Sequence, residues 1–491
     1  MRIVIAGAGA AGLLASLLLA RAGHQVVLVE RDRLDPAPDV ESAAASAFRA
    51  TAPQVVQPHM VMARCRELLL ERLPDVYGRL LAAGAAEAPL WTQMPESLSA
   101  RSARPGDARL TSLATRRSTV DWVLRRAVRA EPGIALHAGV RVTGLMAAAG
   151  RPPRVTGVRT GHGDLPADLV VDATGRRTQV DRWLEQVGAR ATALRRAECG
   201  VAYFSRHYRL RPAADLPGLP TTRILAGLDE FTAGLWGADN GVMQLAVAPL
   251  AADPRFRAAR DPEVFTAVLR TVPALAAWLD VLDPISEVFP MAGLHNSLRR
   301  LVADGTPVVT GLHAIGDSVC TTNPTLGRGL SLALTGAADL LDVLRHNGDD
   351  RTAQALALDG LVAGHVAPFY TDQAAIDAER LAALRRAVFG APAPAPAPDA
   401  ALAGPGRVTF AQLRTAARFD PVAFRAFWKI MGMIGSPEEA YADPDVVAAT
   451  REVLRRRRDG PPAAQPTREQ LLAALRSAAP PATAGPRPAP R

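Results

Sequence analysis

Apolar and polar positions divide the chain into three kinds of stretch. The first kind is a short, unbroken apolar run that stops at glycine. "RIVIA" at 2–6 ends at Gly7, "DLVVDATG" at 168–175 ends at Gly175, and "PVVTGLHAI" at 307–315 ends at Gly316-Asp317. Runs this short between turn signals read as buried strands. The second kind has helical spacing. Residues 10–22, "AAGLLASLLLARA", predict a helix closed by Gly23, and "QVVLVE" then returns as a strand ending in Glu30. "RRSTVDWVLRRAV" at 116–128 and "LSLALTGAADLLDVLRH" at 330–346 predict two more helices. The third kind alternates. "GVAYFSRHYRL" at 200–210 is an aromatic strand, and "TAGLWGADNGVMQLAVAPL" at 232–250 is a hairpin turning at Asn240-Gly241. "EVFPMAGLHNSLRRLV" predicts a further edge.

After about residue 345 the pattern turns helical. A Pro/Ala linker at 391–406 interrupts it, and the "TREQ" capping box at 467–470 starts one more helix. This order predicts an α/β chain, α+β overall. A Rossmann-type domain would be built from 1–190 and 301–345, with an antiparallel-sheet substrate domain at 191–300. A helical region would follow at 346–477, with a disordered tail at 478–491.

The glycine pattern carries the first chemistry. Gly7, Gly9 and Gly12 form G-x-G-x-x-G between a strand and a helix. Gly7 permits the turn, Gly9 admits a pyrophosphate, and Gly12 lets the helix approach the strand. Ala10 and Ala11 open the helix, whose N-terminus favours phosphate. Glu30, with Arg31 beside it, stands where a carboxylate accepts from ribose hydroxyls. Together these parts predict a dinucleotide site.

Composition adds exclusions. The chain has 491 residues and a net charge of +9. Its basic residues are Arg apart from Lys429 and are mostly scattered among Asp and Glu, so the charge reads as a solvated surface and no nucleic-acid partner is expected. Cys65, Cys199 and Cys320 are far apart, which argues against a disulfide framework or a metal site and fits a reducing cytoplasm. No apolar run is long enough for a membrane span, and no targeting segment is read.

The three segments at 7–30, 168–178 and 309–335 together resemble the class A flavoprotein monooxygenase superfamily, whose best-known branch is the para-hydroxybenzoate hydroxylases. The resemblance implies FAD as cofactor. It implies that the "DATG" segment, with Asp172 and Gly175, returns to the adenosine half. It places Asp317, after Gly316, on the ribityl chain. The helix after Pro324, Gly327, Gly329 and Leu330 would then point its N-terminus at the flavin pyrimidine. Arg117 aligns with the Arg of the family's R-x-x-L-D helix start, with Val120 in place of Leu. Arg49, Gln54 and His59 fall in the region that runs along the flavin edge in related proteins.

The sequence also departs from the pattern. Ser318, Val319, Cys320 and Arg328 replace common family residues, and "NPTLGRG" is closer to the branches of halogenases, styrene-type epoxidases and geranylgeranyl-type reductases. The halogenases' W-x-W-x-I-P signature is absent. Cys320 reads as a small packing residue.

The implied activity is oxygen insertion from dioxygen into a small organic substrate, through a flavin hydroperoxide and in a biosynthetic setting. Hydroxylation, epoxidation and Baeyer–Villiger insertion remain open. Electrons would come from NAD(P)H, directly as the favoured route or through a separate flavin reductase. A reductase without oxygen chemistry and a non-catalytic flavin-binding scaffold are the alternatives. The cavity-wall candidates are Tyr203, Arg206, Tyr208, Trp236, Met243 and Pro324, with Arg206 the candidate for an anionic substrate group.

Overall fold

The computed structural model describes residues 1–95, 98, 102–212, 214–392, 406–456 and 465–477. Five strands form a wholly parallel sheet in the order Leu312–Ala314, Leu169–Asp172, Arg2–Ala6, Gln25–Glu30, Ile134–Ala138. Parallel strands covered on both faces must be apolar throughout, which explains the unbroken runs. The helix Ala10–Arg21 is buried almost all round, because the helices Arg117–Ala130 and Gly329–Asn347 pack against it on the same side of the sheet. On the other face a three-stranded antiparallel ribbon, Val142–Ala148, Arg154–Thr160 and Gly163–Pro166, packs with Trp183.

A second, antiparallel sheet is built from residues 203–291. Its order is Arg223–Gly227, Phe231–Gly237, Val242–Pro249, Tyr203–Leu210, Leu282–Pro284, with Phe289–Met291 also pairing to Tyr203–Leu210. The Asn240-Gly241 hairpin is present, and both residues adopt positive φ. One face of this sheet packs on the helices Pro262–Arg270 and Pro273–Leu279 around Phe231, Phe265 and Trp278. The stretch 287–302 is two strands, not one edge. Phe289–Met291 stays in this sheet, while His295–Arg300 pairs with Ala193–Glu198 and Cys320–Thr321.

The C-terminal region is helical where described and packs against the rest. The helices Phe410–Ala416 and Pro421–Gly432 share a core with Met60, Met62, Leu90 and Leu326. The helix at Arg468–Leu475 starts at the Thr467 capping box and reaches the core of the antiparallel sheet. The linker, apart from its ends, and residues 478–491 lie outside the described residues. Among the described residues, no helix is long and apolar enough to cross a membrane.

A buried ion pair ties the start of the helix Arg117–Ala130 to the hairpin of the antiparallel sheet. Arg116, just before its helix, donates Nε to Asp239 Oδ1 at 2.9 Å and Nη2 to the same oxygen at 2.5 Å. The Arg116 backbone N–H donates to Asp239 Oδ2 at 2.6 Å. Asp239 is fully buried, and Arg116 has only the half-exposed Glu41 as a further carboxylate. Asp239→Ala should therefore cost about 3 kcal/mol, because it strands a buried guanidinium. Chemical denaturation measures this, and the charge-free pair Arg116→Met/Asp239→Leu should recover part of the loss.

A second expectation concerns pH. Burial holds His313, in the last strand of the parallel sheet, down to about 4. A lowered pKa means that the unfolded chain binds the proton first. His313 thus contributes stability that is complete above its unfolded pKa of about 6.5 and is lost as pH falls towards 4. His313→Gln should flatten the stability profile between those values, and an unchanged profile would contradict this.

Candidate functional site

The strand ends Ala6, Asp172 and Ala314 lie side by side, so the three glycine turns meet at one edge of the sheet. The contact is between backbones. A Cβ on Gly7, at φ +102°, would lie 2.5 Å from the Ala173 carbonyl oxygen, and one on Gly12 would lie 1.8 Å from the Gly7 carbonyl oxygen. A Cβ on Gly316 would meet Ala11 at 2.6 Å. Gly9 differs: a Cβ there would meet nothing within 4 Å, and the residue lines a cleft.

That cleft has two joined parts. The first runs from Glu30 and Arg31 past Gly7 and Gly9 to Gly175 and Asp317. The second continues past Ala10, Ala11, Arg117, Pro324, Gly327, Gly329 and Leu330 to an apolar group at Trp236, Met291 and Leu294. The helices starting at Ala10 and Gly329 both begin without a side-chain cap, and their first residues line the cleft. Two open helix N-termini thus present N–H donors and partial positive charge to one space.

The charged groups around this space are mostly cationic. Arg49 faces Asp32 at 3.5 Å, yet its Nε and Nη1 are buried without a hydrogen bond. Arg117 Nε donates to Asp121 at 2.8 Å. Burial lowers the pKa of Arg176, with Arg177 adding to the effect. Asp317 has no hydrogen bond to its side chain among the described residues. Burial raises its pKa, against the pull of Arg117 and Arg176. His59 is held neutral, down to about 3, by burial and the nearby Arg117. Gln244 fixes its backbone on both sides, accepting from His59 N–H and donating to its carbonyl. Gln54 lines both parts of the cleft.

The residues fit FAD. The glycine turn offers room at Gly9, the helix N-termini suit a pyrophosphate and an electron-rich ring, and Asp317 offers free acceptor oxygens. The Glu30 carboxylate accepts from Ala8 N–H at 2.7 Å and Asp32 N–H at 2.9 Å, which holds it at the dinucleotide end. Asp172 is a correction. Its carboxylate accepts from Thr174 N–H, from the hydroxyls of Thr174 and Thr178, and from Ser318 Oγ, so it pins the loop instead of facing the cleft. Ser318 Oγ in turn accepts from Gly175 N–H at 2.9 Å and couples the two turns.

The substrate-wall candidates divide by strand face. Trp236 and Pro324 line the cleft. Tyr203 stands behind it, its hydroxyl bonded to Asn323 and Thr325. Asn323 donates to Asp377, which burial pushes up to about 6 and which Asn296 and Gln373 also contact. Arg206, Tyr208 and Met243 are corrections. Tyr208 and Met243 lie in the core on the opposite face of the sheet, and Arg206 stacks over Tyr208 and donates to Ser286 O. The alternation was legible, but the side facing the cleft was not. Sequence reading missed Arg176, Arg223 and Met62, which line the cleft. Register would have exposed Arg223, since it pairs with Trp236. Cys320 is buried in a core with Leu298 and Leu332, and burial pushes its thiol up. Arg328 is fully buried, donating to the Phe369 carbonyl and to Asp372. Among the described residues, no cluster of metal-ligating side chains occurs.

The fold is that of the class A flavoprotein monooxygenases and the related halogenases, and residues 1–39 match a family described as FAD binding domain. The chain is 28% identical over 374 residues to Protein Rv3254 of Mycobacterium tuberculosis, covering 70% of this chain and 72% of that one. Among solved structures it is similar to PqsL, a probable FAD-dependent monooxygenase from Pseudomonas aeruginosa. The TM-score is 0.55 at 18% identity, over 80% of this chain and all of that one. It is also similar to the flavin-dependent brominase Bmp2, with a TM-score of 0.60 at 16% identity, over 93% of this chain and all of that one.

Gly9→Val should fold with an unchanged melting temperature yet fail to take up FAD, as read by flavin absorbance after gel filtration, because its side chain would project into the cleft. Asp317→Ala should weaken FAD retention by roughly 1–3 kcal/mol, the worth of a charged acceptor. Normal loading of both variants would contradict the assignment.

Proposed function

We propose that the protein is an FAD-dependent monooxygenase that transfers one oxygen atom from dioxygen to a small organic substrate. The observation that carries this reading is the continuity of the cleft, from the dinucleotide end at Glu30 to an apolar chamber at Trp236 and Met291. When bound, FAD supplies the redox chemistry and the activation of dioxygen. The chain's own residues then hold, orient and shield. Gly7, Gly9, Ala10 and Ala11 receive the pyrophosphate, with Arg49 and Arg176 as cations beside it. Asp317 receives the sugar-alcohol chain, and Gly327, Gly329 and Leu330 face the ring. Arg117 stands beside them, with its charge fixed by Asp121. The apolar end excludes water from the reacting centre.

Likeness to PqsL, solved in one case with 2-aminobenzoylacetate, supports a small-molecule substrate. Likeness to a brominase concerns the fold, and the absence of W-x-W-x-I-P here keeps the reading on oxygen transfer. NAD(P)H is the expected electron source by direct reduction.

Two measurements test this. Turnover under labelled dioxygen should add one labelled oxygen to the product. Unlabelled, reduced product would support the geranylgeranyl-reductase-type alternative, and bromide incorporation would support halogenation. Anaerobic stopped-flow mixing with NADPH or NADH should bleach the flavin band. If neither donor bleaches it while an added flavin reductase restores turnover, direct reduction is wrong. Absence of flavin turnover with any donor would leave a non-catalytic scaffold.

A further inference from the structure

Four guanidinium groups line the main cleft, and three have a place in the FAD reading. Arg49 and Arg117 have carboxylate partners, and Arg176 lies at the pyrophosphate end beside Asp317. Arg223 is different. It opens the edge strand Arg223–Gly227 at the apolar end of the cleft. Its side-chain contacts are Met62 Sδ, 3.9 Å from Nη1, and the Trp428 ring, whose centroid is 5.3 Å from Cζ. Neither is an anion. Burial lowers its pKa, to about 10, and among the described residues no carboxylate opposes the shift. A partly buried cation with no counter-charge among the described residues is costly to keep.

The position is built. Arg223 stands opposite Trp236, Trp236 opposite Gln244, and Gln244 opposite His207, so one cross-strand row faces the flavin domain. Gln93 Oε1 accepts from the Arg223 backbone N–H at 3.2 Å and holds the strand start. Met62 links the guanidinium to the flavin cradle, since a Cβ on Gly327 would lie 3.5 Å from Met62 Sδ. The cleft lining that Arg223 shares includes the apolar side chains of Met62, Trp236, Met291, Leu294 and Pro324.

We infer that Arg223 binds the carboxylate of the substrate, and that the substrate is an organic acid with an apolar body between that carboxylate and the flavin cradle. The inference deepens the proposed function and rests on reading the apolar end as the substrate chamber. A planar guanidinium matches a carboxylate with two parallel N–H donors. The Trp428 face leaves those donors free while covering the other side of the group. Residues from the C-terminal helices thereby become part of the substrate wall.

The test uses the full-length protein and calorimetric titration, with and without FAD. The probes are 1-naphthoate and benzoate, each against its carboxamide. The acids should bind roughly tenfold more tightly than the amides, the margin of a charge-assisted over a neutral hydrogen bond. Arg223→Gln should erase that preference at an unchanged melting temperature, and Arg223→Lys should restore part of it. Arg206→Gln, on the opposite face, should keep the wild-type preference. Equal binding of acid and amide, no binding of any probe, or a preference that survives in Arg223→Gln overturns the inference. If Arg223→Gln does not fold, the wild-type comparison and Arg223→Lys decide. Failure of the flavin reading is separable. A protein that shows the Arg223-dependent preference but takes up no FAD refutes only that reading. One that loads FAD without the preference refutes only this inference.

Discussion

Everything at the site depends on backbone meeting backbone at the ends of three parallel strands. Gly7 lies so close to Ala173 that no side chain fits between them, and Gly12 lies closer still to Gly7. This contact lets the helix Ala10–Arg21 start directly above the sheet and aims its free N–H groups along the cleft. Asp172 locks the arrangement from below by accepting from Thr174, Thr178 and Ser318. A single carboxylate therefore joins the second glycine turn to the third. The departure from the common family residue at Ser318 acquires a physical meaning here, because its hydroxyl serves both turns.

Charge is organised around the same point. The lining of the main cleft carries Arg49, Arg117, Arg176 and Arg223 against Asp317. Two uncapped helix N-termini add to the positive side. Such a cleft favours an anionic occupant before any contact is considered. A dinucleotide with two phosphates meets most of that field at the glycine end. The excess that remains is localised at Arg223, which has no carboxylate partner among the described residues.

The parallel sheet and the three glycine turns that meet at its edge were legible because their signals are local. Apolar runs ending in glycine, a G-x-G-x-x-G at the first, and Gly316-Asp317 at the third each lie within a few residues of chain. The substrate wall was less legible because its signal is a choice between two faces. Alternation in "YFSRHYRL" marks a strand, but which parity meets the cleft depends on the helices Pro262–Arg270 and Pro273–Leu279 claiming the Phe204 and Tyr208 side. Arg206 went with that side. Arg223 escaped notice because its strand is short and at the edge, and its neighbour in space, Trp428, is two hundred residues away in sequence. Asp172 misled for a related reason: a motif gives a residue's place in the loop but not the direction of its side chain.

The C-terminal helices are where local and distant constraints meet. Arg328 immediately precedes the helix Gly329–Asn347, whose first residues line the cleft, and it is anchored to Asp372 and the Phe369 carbonyl in the helix Ala367–Phe389. Asp372 is held in turn by Tyr441, at 2.6 Å. Trp428 covers Arg223 from the helix Pro421–Gly432. The same region thus supports the cradle through one arginine and the chamber wall through another. A glutamine at position 328 could not supply the charge that Asp372 requires in a buried setting. The arginine in "NPTLGRG" therefore follows from the presence of this helical region. The motif variant and the C-terminal helices form one structural unit.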